Sequence, residues 1–584
     1  MIIRLRILLL CFLPLITVHA NDLSSESQLI GLWEGKKIAG PEIQGEILLS
    51  RSKSSWSADV SGYKLQVKNQ NGQLSFSVPG ARGSFIAQLS SDDNRIEGHW
   101  IQPETINNGM KYASPILLTP VSDHQWQGTI NAMNDEFSLY LPVWKNDDGE
   151  LSTFLRNPER GLGAFLNVEQ WAVKGKTIQW LGRSFRSNEK VSLLETQIQN
   201  GDILADIRGQ NYRLQRRSDN NRSHFYARGK YPNQYRYTPP LQIKSDGWKT
   251  STLKAQNIDD KYISQFIDDV VLKSARSIEA PYIHGILIAR GGKLVLEEYF
   301  HGFHRNKPHD TRSASKSVTS LLAGAAIHSG APISLDSSIY KTLRSHSTQR
   351  EESSKFDHND ITLEHLLTMS SGLACDDGDS SSPGNEDVMQ SQSRQPNWVQ
   401  YTLDLPLIRA PGSRAVYCTG GINLIGAALS SATGQNLETL FHQLIAKPLQ
   451  AHRYYLNLSP TGEPYMGGGI YWLPRDFMKI GQVILNEGMW NNTRIVSARF
   501  AKKSIAASNQ MHNQGYGYAW WSTKYPYKGR TIDAFFAAGN GGQIVMGIPE
   551  LDLLIAFFAG NYSTATGHKI HREFIPKYFL PAIH

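Results

Sequence analysis

The sequence predicts an α+β protein, with an N-terminal all-β sandwich or barrel domain followed by a larger domain in which strands and helices mix. Three observations carry that expectation. Apolar residues alternate with period two from about residue 28 to 215, a Tyr-, Pro- and Asn-rich stretch interrupts the pattern at 216–248, and a hairpin with helically spaced apolar residues follows. A chain of 584 residues is too long for one ordinary domain. With 40% apolar and 19% charged residues it can bury a core.

Residues 1–20 read as an export signal. Arg4 and Arg6 form a basic start, residues 7–18 are apolar, and Val18-His19-Ala20 precedes Asn21 with small residues at the cleavage offsets. The apolar stretch is shorter than the ~20 residues a membrane-spanning helix needs. No second long apolar run follows, so the expectation is a protein with no transmembrane segment after signal cleavage, exported to a periplasm or the medium. Cys11 leaves with the signal and Cys375 and Cys418 remain. An exported pair permits one disulfide, and two buried thiols are the alternative.

The β-rich domain spans 21–215. Leu65 and Val67, then Leu74, Phe76 and Val78, then Phe85, Ala87 and Leu89, then Ile96 and Trp100 alternate with polar residues, and Asn71-Gly72 supplies a turn. Trp33-Glu34-Gly35 and Trp126-Gln127-Gly128 each open a run of strands and hint at two similar halves. Residues 216–248 form a linker or strap ending near Trp248. The second domain runs over 249–584. Ile286-Leu287-Ile288 and Leu294-Val295-Leu296 flank a Gly291-Gly292 turn, and helices and strands alternate beyond it.

Charge excludes one class of function. The formal net charge is +8, but the basic residues are scattered, with no like-charged block and no aromatic-interleaved basic stripe, so no nucleic-acid partner is expected. His301, His304 and His309 cluster, but their spacing fits no zinc pattern, and neither a metal nor a cofactor is expected.

The chemistry starts at Thr311-Arg312-Ser313-Ala314-Ser315-Lys316. Ser-x-x-Lys is a poor signal alone, yet Val318, Leu321, Leu322 and Ala325 recur at helical spacing just after it. Ser313 then falls in the first turn of a helix that buries one face, with Lys316 one turn on and on the same side. A serine hydroxyl is a weak nucleophile until a base takes its proton. A lysine buried at a helix N-terminus can be that base, because desolvation and the helix dipole both disfavour its ammonium form. The same N-terminal amides can hold an oxyanion. Downstream lie a helix breaking at Ser370-Ser371-Gly372, a turn leading into Tyr417-Cys418-Thr419-Gly420, and Gly539-Asn540-Gly541-Gly542-Gln543 before an apparent strand over 544–548. No Gly-x-Ser-x-Gly elbow exists, which excludes the α/β-hydrolase reading.

In order, Ser313-x-x-Lys316, the Leu-Leu-Thr-Met-Ser-Ser-Gly-Leu run over 366–373, Tyr417-x-Thr419 and the glycine-rich strand resemble the serine β-lactamase and penicillin-binding-protein superfamily, in its class C-like, esterase-bearing branch. The resemblance covers about residues 280–575. Cys375-Asp376-Asp377 and Ser382-Pro383-Gly384-Asn385-Glu386 look most like relatives of nylon-oligomer (6-aminohexanoate-dimer) hydrolases. It implies a β-lactamase-like second domain, an antiparallel sheet with an α-helical subdomain. It implies Ser313 as the acylated nucleophile, Lys316 as its general base, and Tyr417 as the proton shuttle to the leaving group, a role that a cationic Lys316 nearby would support. Thr419 stands where many members have Asn or Ser. Asn540-Gly541-Gly542 stands where penicillin-recognising members carry Lys-Thr-Gly, so the charge that anchors a β-lactam carboxylate is missing unless another arginine, Arg312 or Arg414, supplies it. The oxyanion donors would be the backbone amides of Ser313 and Gln543. The expected function is hydrolysis of a small-molecule or peptide-like ester or amide through an acyl-enzyme. A peptidoglycan DD-peptidase, a weak β-lactamase and a non-catalytic cell-envelope binding protein are the alternatives.

Overall fold

A computed structural model of the chain describes residues 26–584 apart from 54, 93, 105–109, 184–189, 208–209, 219–221, 344–354 and 392–396. The export signal lies outside the described residues.

The period-two alternation produces a closed barrel. Eight strands from Gly45–Ser52 to Gln125–Ile130 pair antiparallel in sequence, and the last returns to the first with Gly45 opposite Ile130 and Ser50 opposite Gln125. Closure leaves no edge strand to aggregate. Inward positions are filled by Trp56, Val67, Leu74, Phe76, Phe85, Ile96, Trp100, Leu118 and Trp126, so the interior is a packed core. Asn71 and Gly72 both take positive φ, 54° and 85°, as the tight hairpin between Tyr63–Gln70 and Gln73–Val78 requires. A second sheet of eight strands contains Gly31–Ala39 and the strands from Asp135–Lys145 to Gln210–Arg216. The two Trp-x-Gly motifs therefore fall in different sheets, each tryptophan buried in its own.

Residues 222–248 run as an irregular strap anchored by aromatic side chains. The Tyr235 hydroxyl donates to Glu298 at 2.6 Å, the Tyr237 hydroxyl to the Val295 carbonyl at 2.8 Å, and the Trp248 indole to the Arg475 carbonyl at 3.0 Å.

The second domain is built on a nine-stranded sheet. Ile283–Arg290 and Lys293–Tyr299 form the expected hairpin over Gly291-Gly292, and Arg530–Gly539, Gln543–Ile548 and Leu553–Ala559 continue the sheet beside them. Its central strands read as nearly continuous apolar runs because both faces are covered. Leu287, Val545 and Phe558 pack against the helices Ser315–His328 (α1), Thr419–Thr433 (α2) and Pro474–Leu485 (α3). Ile286, Ile544 and Phe557 pack on the other side, against Phe266 and the C-terminal Ile575 and Phe579. Each fully buried Leu, Ile or Phe contributes about 1.5–3 kcal/mol.

α1 departs from expectation in one respect. Every residue from Ser315 to Ala326 is buried, not one face alone, because the helix is enclosed by the sheet, α2 and the Phe500 helix. Three short strands position its start and join it to the barrel. His309–Asp310 pairs with Ile470–Trp472, which pairs with Tyr454–Asn457, which pairs with barrel strand Tyr112–Ser122. The barrel and the segment leading into Ser313 thus share one continuous sheet.

Candidate active site

Ser313 sits in a 3-10 turn, Arg312–Ala314, immediately before α1. Two anchors fix that turn. Thr311 donates from both its N–H and its hydroxyl to the Ile470 carbonyl, at 3.1 and 2.7 Å. Asp310 accepts the Arg312 N–H at 3.0 Å and pairs with its guanidinium at 2.9 Å. Arg312 takes φ +50°, a left-handed conformation costly for a residue with a Cβ. Its guanidinium lies over the Tyr562 ring at 4.9 Å.

The three-residue spacing then acts as expected. Lys316 Nζ donates to Ser313 Oγ at 3.0 Å and to the Gly467 carbonyl at 2.6 Å. Gly467 opens a Gly467-Gly468-Gly469 run just before the Ile470–Trp472 strand. A Cβ there would sit 2.5 Å from Thr419 Cγ2, so only glycine lets the carbonyl come this close. Asn423 of α2 accepts the Gly467 N–H at 3.1 Å and holds it in place. Tyr417, far away in sequence, arrives on the other side of the ammonium. Lys316 Nζ lies 4.9 Å from its ring centroid, and the ring stacks on Trp521 at 5.9 Å.

The charge state of Lys316 differs from expectation. Burial draws it toward the neutral amine and is the largest single influence, but Tyr417, Glu386 and Asp377 together outweigh burial and hold the ammonium above the ordinary lysine value. Neither carboxylate was singled out from sequence, because no spacing rule ties residues 377 and 386 to a lysine at 316. Asp377 has its carboxyl pushed up to about 6 by burial and by Glu386, with Lys316 opposing.

Ser313 and Tyr417 open onto a cavity of about 490 Å³. Trp521, Phe536 and Ile544 form an aromatic and aliphatic wall, the backbone of residues 539–542 faces them, and His512, His568 and Arg572 stand among the remaining lining residues. Among the described residues, no carboxylate pairs with Arg572. Gly539 packs directly on the Ser313 turn: a Cβ there would lie 2.4 Å from the Thr311 carbonyl and 3.1 Å from the Ala314 nitrogen.

The structure brings together Ser313, Lys316, Tyr417, Asn540, Gly541 and Gly542, and leaves two expected residues outside. Thr419 is fully buried and spends its hydroxyl on Asp377 at 2.6 Å, so it touches no substrate. Gln543 is also fully buried. Its amide donates to the Ala559 and Asn540 carbonyls at 2.6 and 3.2 Å, bracing the turn behind the cavity wall. Asn540 lines the cavity but turns its side chain to Ser563, whose N–H it accepts at 2.7 Å. Arg312 is tied to Asp310, and Arg414 is exposed and does not line the cavity. Cys375 and Cys418 are joined, with Cα atoms 5.4 Å apart, which pins the residue after Tyr417 to the segment carrying Asp377. Of the three clustered histidines, His301 and His309 are buried, while His304 lines a separate cavity.

Comparison with known proteins agrees with this organisation. The Beta-lactamase family model matches residues 278–575, a little over half of the chain. Among solved structures, a Bacillus anthracis protein assigned as a 6-aminohexanoate-dimer hydrolase is 18% identical, with 60% of this chain and 89% of that one covered at a TM-score of 0.44. A penicillin-binding-protein homologue from Caulobacter crescentus is 12% identical, covering 55% and 96% at 0.44. The simvastatin synthase of Aspergillus terreus is 15% identical, covering 55% and 96% at 0.41.

Proposed function

The chain belongs to the Beta-lactamase family, and from that premise we propose that it is an exported serine hydrolase that cleaves an ester or amide through an acyl-enzyme on Ser313. The observation that carries this reading is the Ser313 Oγ to Lys316 Nζ contact at 3.0 Å, with Tyr417 alongside, at a cavity of about 490 Å³.

The steps follow from which groups can move a proton. Lys316, held as an ammonium, orients Ser313 Oγ and stabilises negative charge on the Tyr417 oxygen. Ser313 Oγ attacks the carbonyl carbon and its proton passes to Tyr417. The carbonyl electron pair moves onto oxygen, toward the backbone amides of Ser313 and the Gly539–Asn540 strand end. On collapse the bond to the leaving group breaks, and that group takes the proton from Tyr417. A water repeats the sequence in reverse to free the acid. The backbone amide of Gln543, the donor that the resemblance implies, is not used in this scheme, because Gln543 is fully buried and does not line the cavity.

The cavity favours a compact acyl or alkoxy group against Trp521 and Phe536. One observation supports the second reading, a carboxylate-bearing peptide or β-lactam: Arg572 brings to the cavity a positive charge that Asn540 lacks. Export rests on the signal over 1–20 and on the Cys375–Cys418 bond, which an oxidising compartment preserves. Among the described residues, no helix is long and apolar enough to cross a membrane.

Fluorophosphonate labelling of wild type and Ser313→Ala tests the nucleophile; labelling confined to wild type is expected, and equal labelling removes Ser313 from its role. A panel of p-nitrophenyl acetate, aminohexanoate dimer, a D-Ala-D-Ala peptide and nitrocefin ranks the substrates. Turnover of the first two is expected. Turnover of only the last two moves the enzyme to the second reading.

A further inference from the structure

Behind Lys316, away from the cavity, two carboxylates share one buried hydroxyl. Asp377 Oδ2 accepts the Thr419 N–H at 2.7 Å and its Oγ1–H at 2.6 Å. Glu386 Oε2 stands 3.3 Å from the same Oγ1. A hydroxyl has one hydrogen, and the shorter contact takes it, so Glu386 Oε2 receives none from Thr419 and keeps its full charge. Glu386 Oε1 instead accepts from the Tyr465 hydroxyl and from Gln390 Nε2. The Glu386 N–H closes the cluster by donating to Asp377 Oδ1 at 2.9 Å. Every hydrogen-bond donor to this pair is a neutral group. The cation facing it is Lys316, whose own hydrogens go to Gly467 and Ser313, so the carboxylates act on it through space.

That placement has a chemical consequence. A carboxylate bonded directly to Lys316 would take a hydrogen away from Ser313. Two carboxylates clamped one layer back supply the same field and leave the ammonium's donors on the nucleophile. The groups acting on Lys316 are then Ser313, Tyr417, the Gly467 carbonyl, Asp377 and Glu386. The link to the carboxylates is packing: a Cβ at Gly467 would lie 2.5 Å from Thr419 Cγ2, so the hydroxyl that Asp377 holds stands one residue behind the carbonyl that Lys316 bonds.

We propose that Asp377 and Glu386 are positioning residues that keep Lys316 protonated during catalysis while leaving its hydrogens on Ser313 and Gly467. The proposal rests on Ser313 being the acylated nucleophile. Its signature is the alkaline limb of the pH profile, because removing a nearby negative charge lets the ammonium lose its proton at lower pH.

The test is the pH dependence of kcat/KM on p-nitrophenyl acetate, and of fluorophosphonate acylation, for wild type, Glu386→Gln and Asp377→Asn. A glutamine carbonyl at 386 still accepts from Tyr465 and its amide can donate to Thr419 Oγ1, whereas an asparagine at 377 keeps the Thr419 bonds but gives up the one from the Glu386 N–H, so Glu386→Gln is the cleaner variant and thermal melts check the fold of both. The alkaline limb is expected to move down by about one pH unit in each variant, with acylation at pH 7 changing about twofold or less and the loss opening only at the alkaline end, reaching about tenfold at pH values well above the wild-type limb. An unmoved limb, or an equal loss at every pH, overturns the proposal and leaves the two residues as scaffolding for α2. Equal labelling of wild type and Ser313→Ala overturns the nucleophile and this proposal together, whereas labelling confined to wild type with an unmoved limb overturns this proposal alone.

Discussion

Two buried polar clusters flank the segment Asp310-Thr311-Arg312, and they resolve the same problem in opposite ways. On one side Lys316 is buried and held charged. On the other, His284, His301 and His309 are buried and held neutral. The His309 Nδ1 lies 3.0 Å from the Asp310 carbonyl, and His301 Nδ1 lies 3.1 Å from that of Phe225. Carbonyls only accept, so both Nδ1 atoms carry hydrogen. His309 Nε2 must then accept from His284 Nδ1 at 2.8 Å, which leaves the Nε2 atoms of His284 and His301 bare and without a partner among the described residues. Burial is the largest influence in both clusters. It decides the outcome for the histidines because Lys307 and Arg156 add positive charge nearby, and it fails for Lys316 because two carboxylates and a phenol face it. Depth alone does not set a charge state; the neighbours do.

The largest expected effect breaks the lysine cluster. Lys316→Met keeps the side-chain volume but removes the charge, and fluorophosphonate labelling should slow by about 10³-fold or more, as for groups that act as a catalytic unit. Labelling within tenfold of wild type would remove Lys316 from the chemistry.

The disulfide belongs to the same cluster and should be felt next. Cys375 and Cys418 close a loop with a sequence separation of 43, and the chain-entropy model puts such a bond at about 3–4 kcal/mol. Cys375→Ser, or reduction of the native protein, should lower Tm and slow acylation, because Tyr417 loses the constraint at its neighbour. Unchanged Tm and acylation after verified reduction would show that the bond constrains nothing.

The histidine cluster gives the mildest effect, and its sign is opposite. Its three imidazoles bind protons less readily folded than unfolded, with His301 and His309 brought down to about 3 and about 4 from 6.5. Their contribution is therefore complete above about pH 6.5 and is lost as pH falls toward 4, because the unfolded chain gains protons that the folded one refuses. Tm should fall by several degrees between pH 7 and 5, read by calorimetry. A flat Tm over that range would mean that the cluster is not neutral in the folded protein.

Much of the fold was legible because alternation reports burial directly. Leu74, Phe76 and Val78 point inward along one barrel strand as period two requires, and Asn71-Gly72 turns where only such residues turn easily. Closure of the sheet was not legible, since sandwich and barrel share one pattern. In the site, Ser313 and Lys316 could be paired from their spacing together with the helical apolar pattern that follows them. Thr419 could not be placed, because motif position says where a backbone runs and not which way a side chain turns, and the burial of Gln543, whose backbone amide the resemblance offered as a donor, comes from strand pairing that no motif reports. Thr419 turns to Asp377 and Gln543 to Ala559, each toward a buried partner that needs it.

By itself the sequence determined the local chemistry: a hydroxyl and an amine three residues apart at the start of a helix, strands that bury alternate residues, and glycines where a Cβ would collide. These depend only on bond geometry and on the cost of wetting apolar side chains. The tertiary structure alone decided that Tyr417 reaches Lys316, that Asp377 and Glu386 stand behind it, and that Gly539 packs on the nucleophile turn. Electrostatic influence falls with distance through space, and separation along the chain says nothing about that distance until the chain has folded.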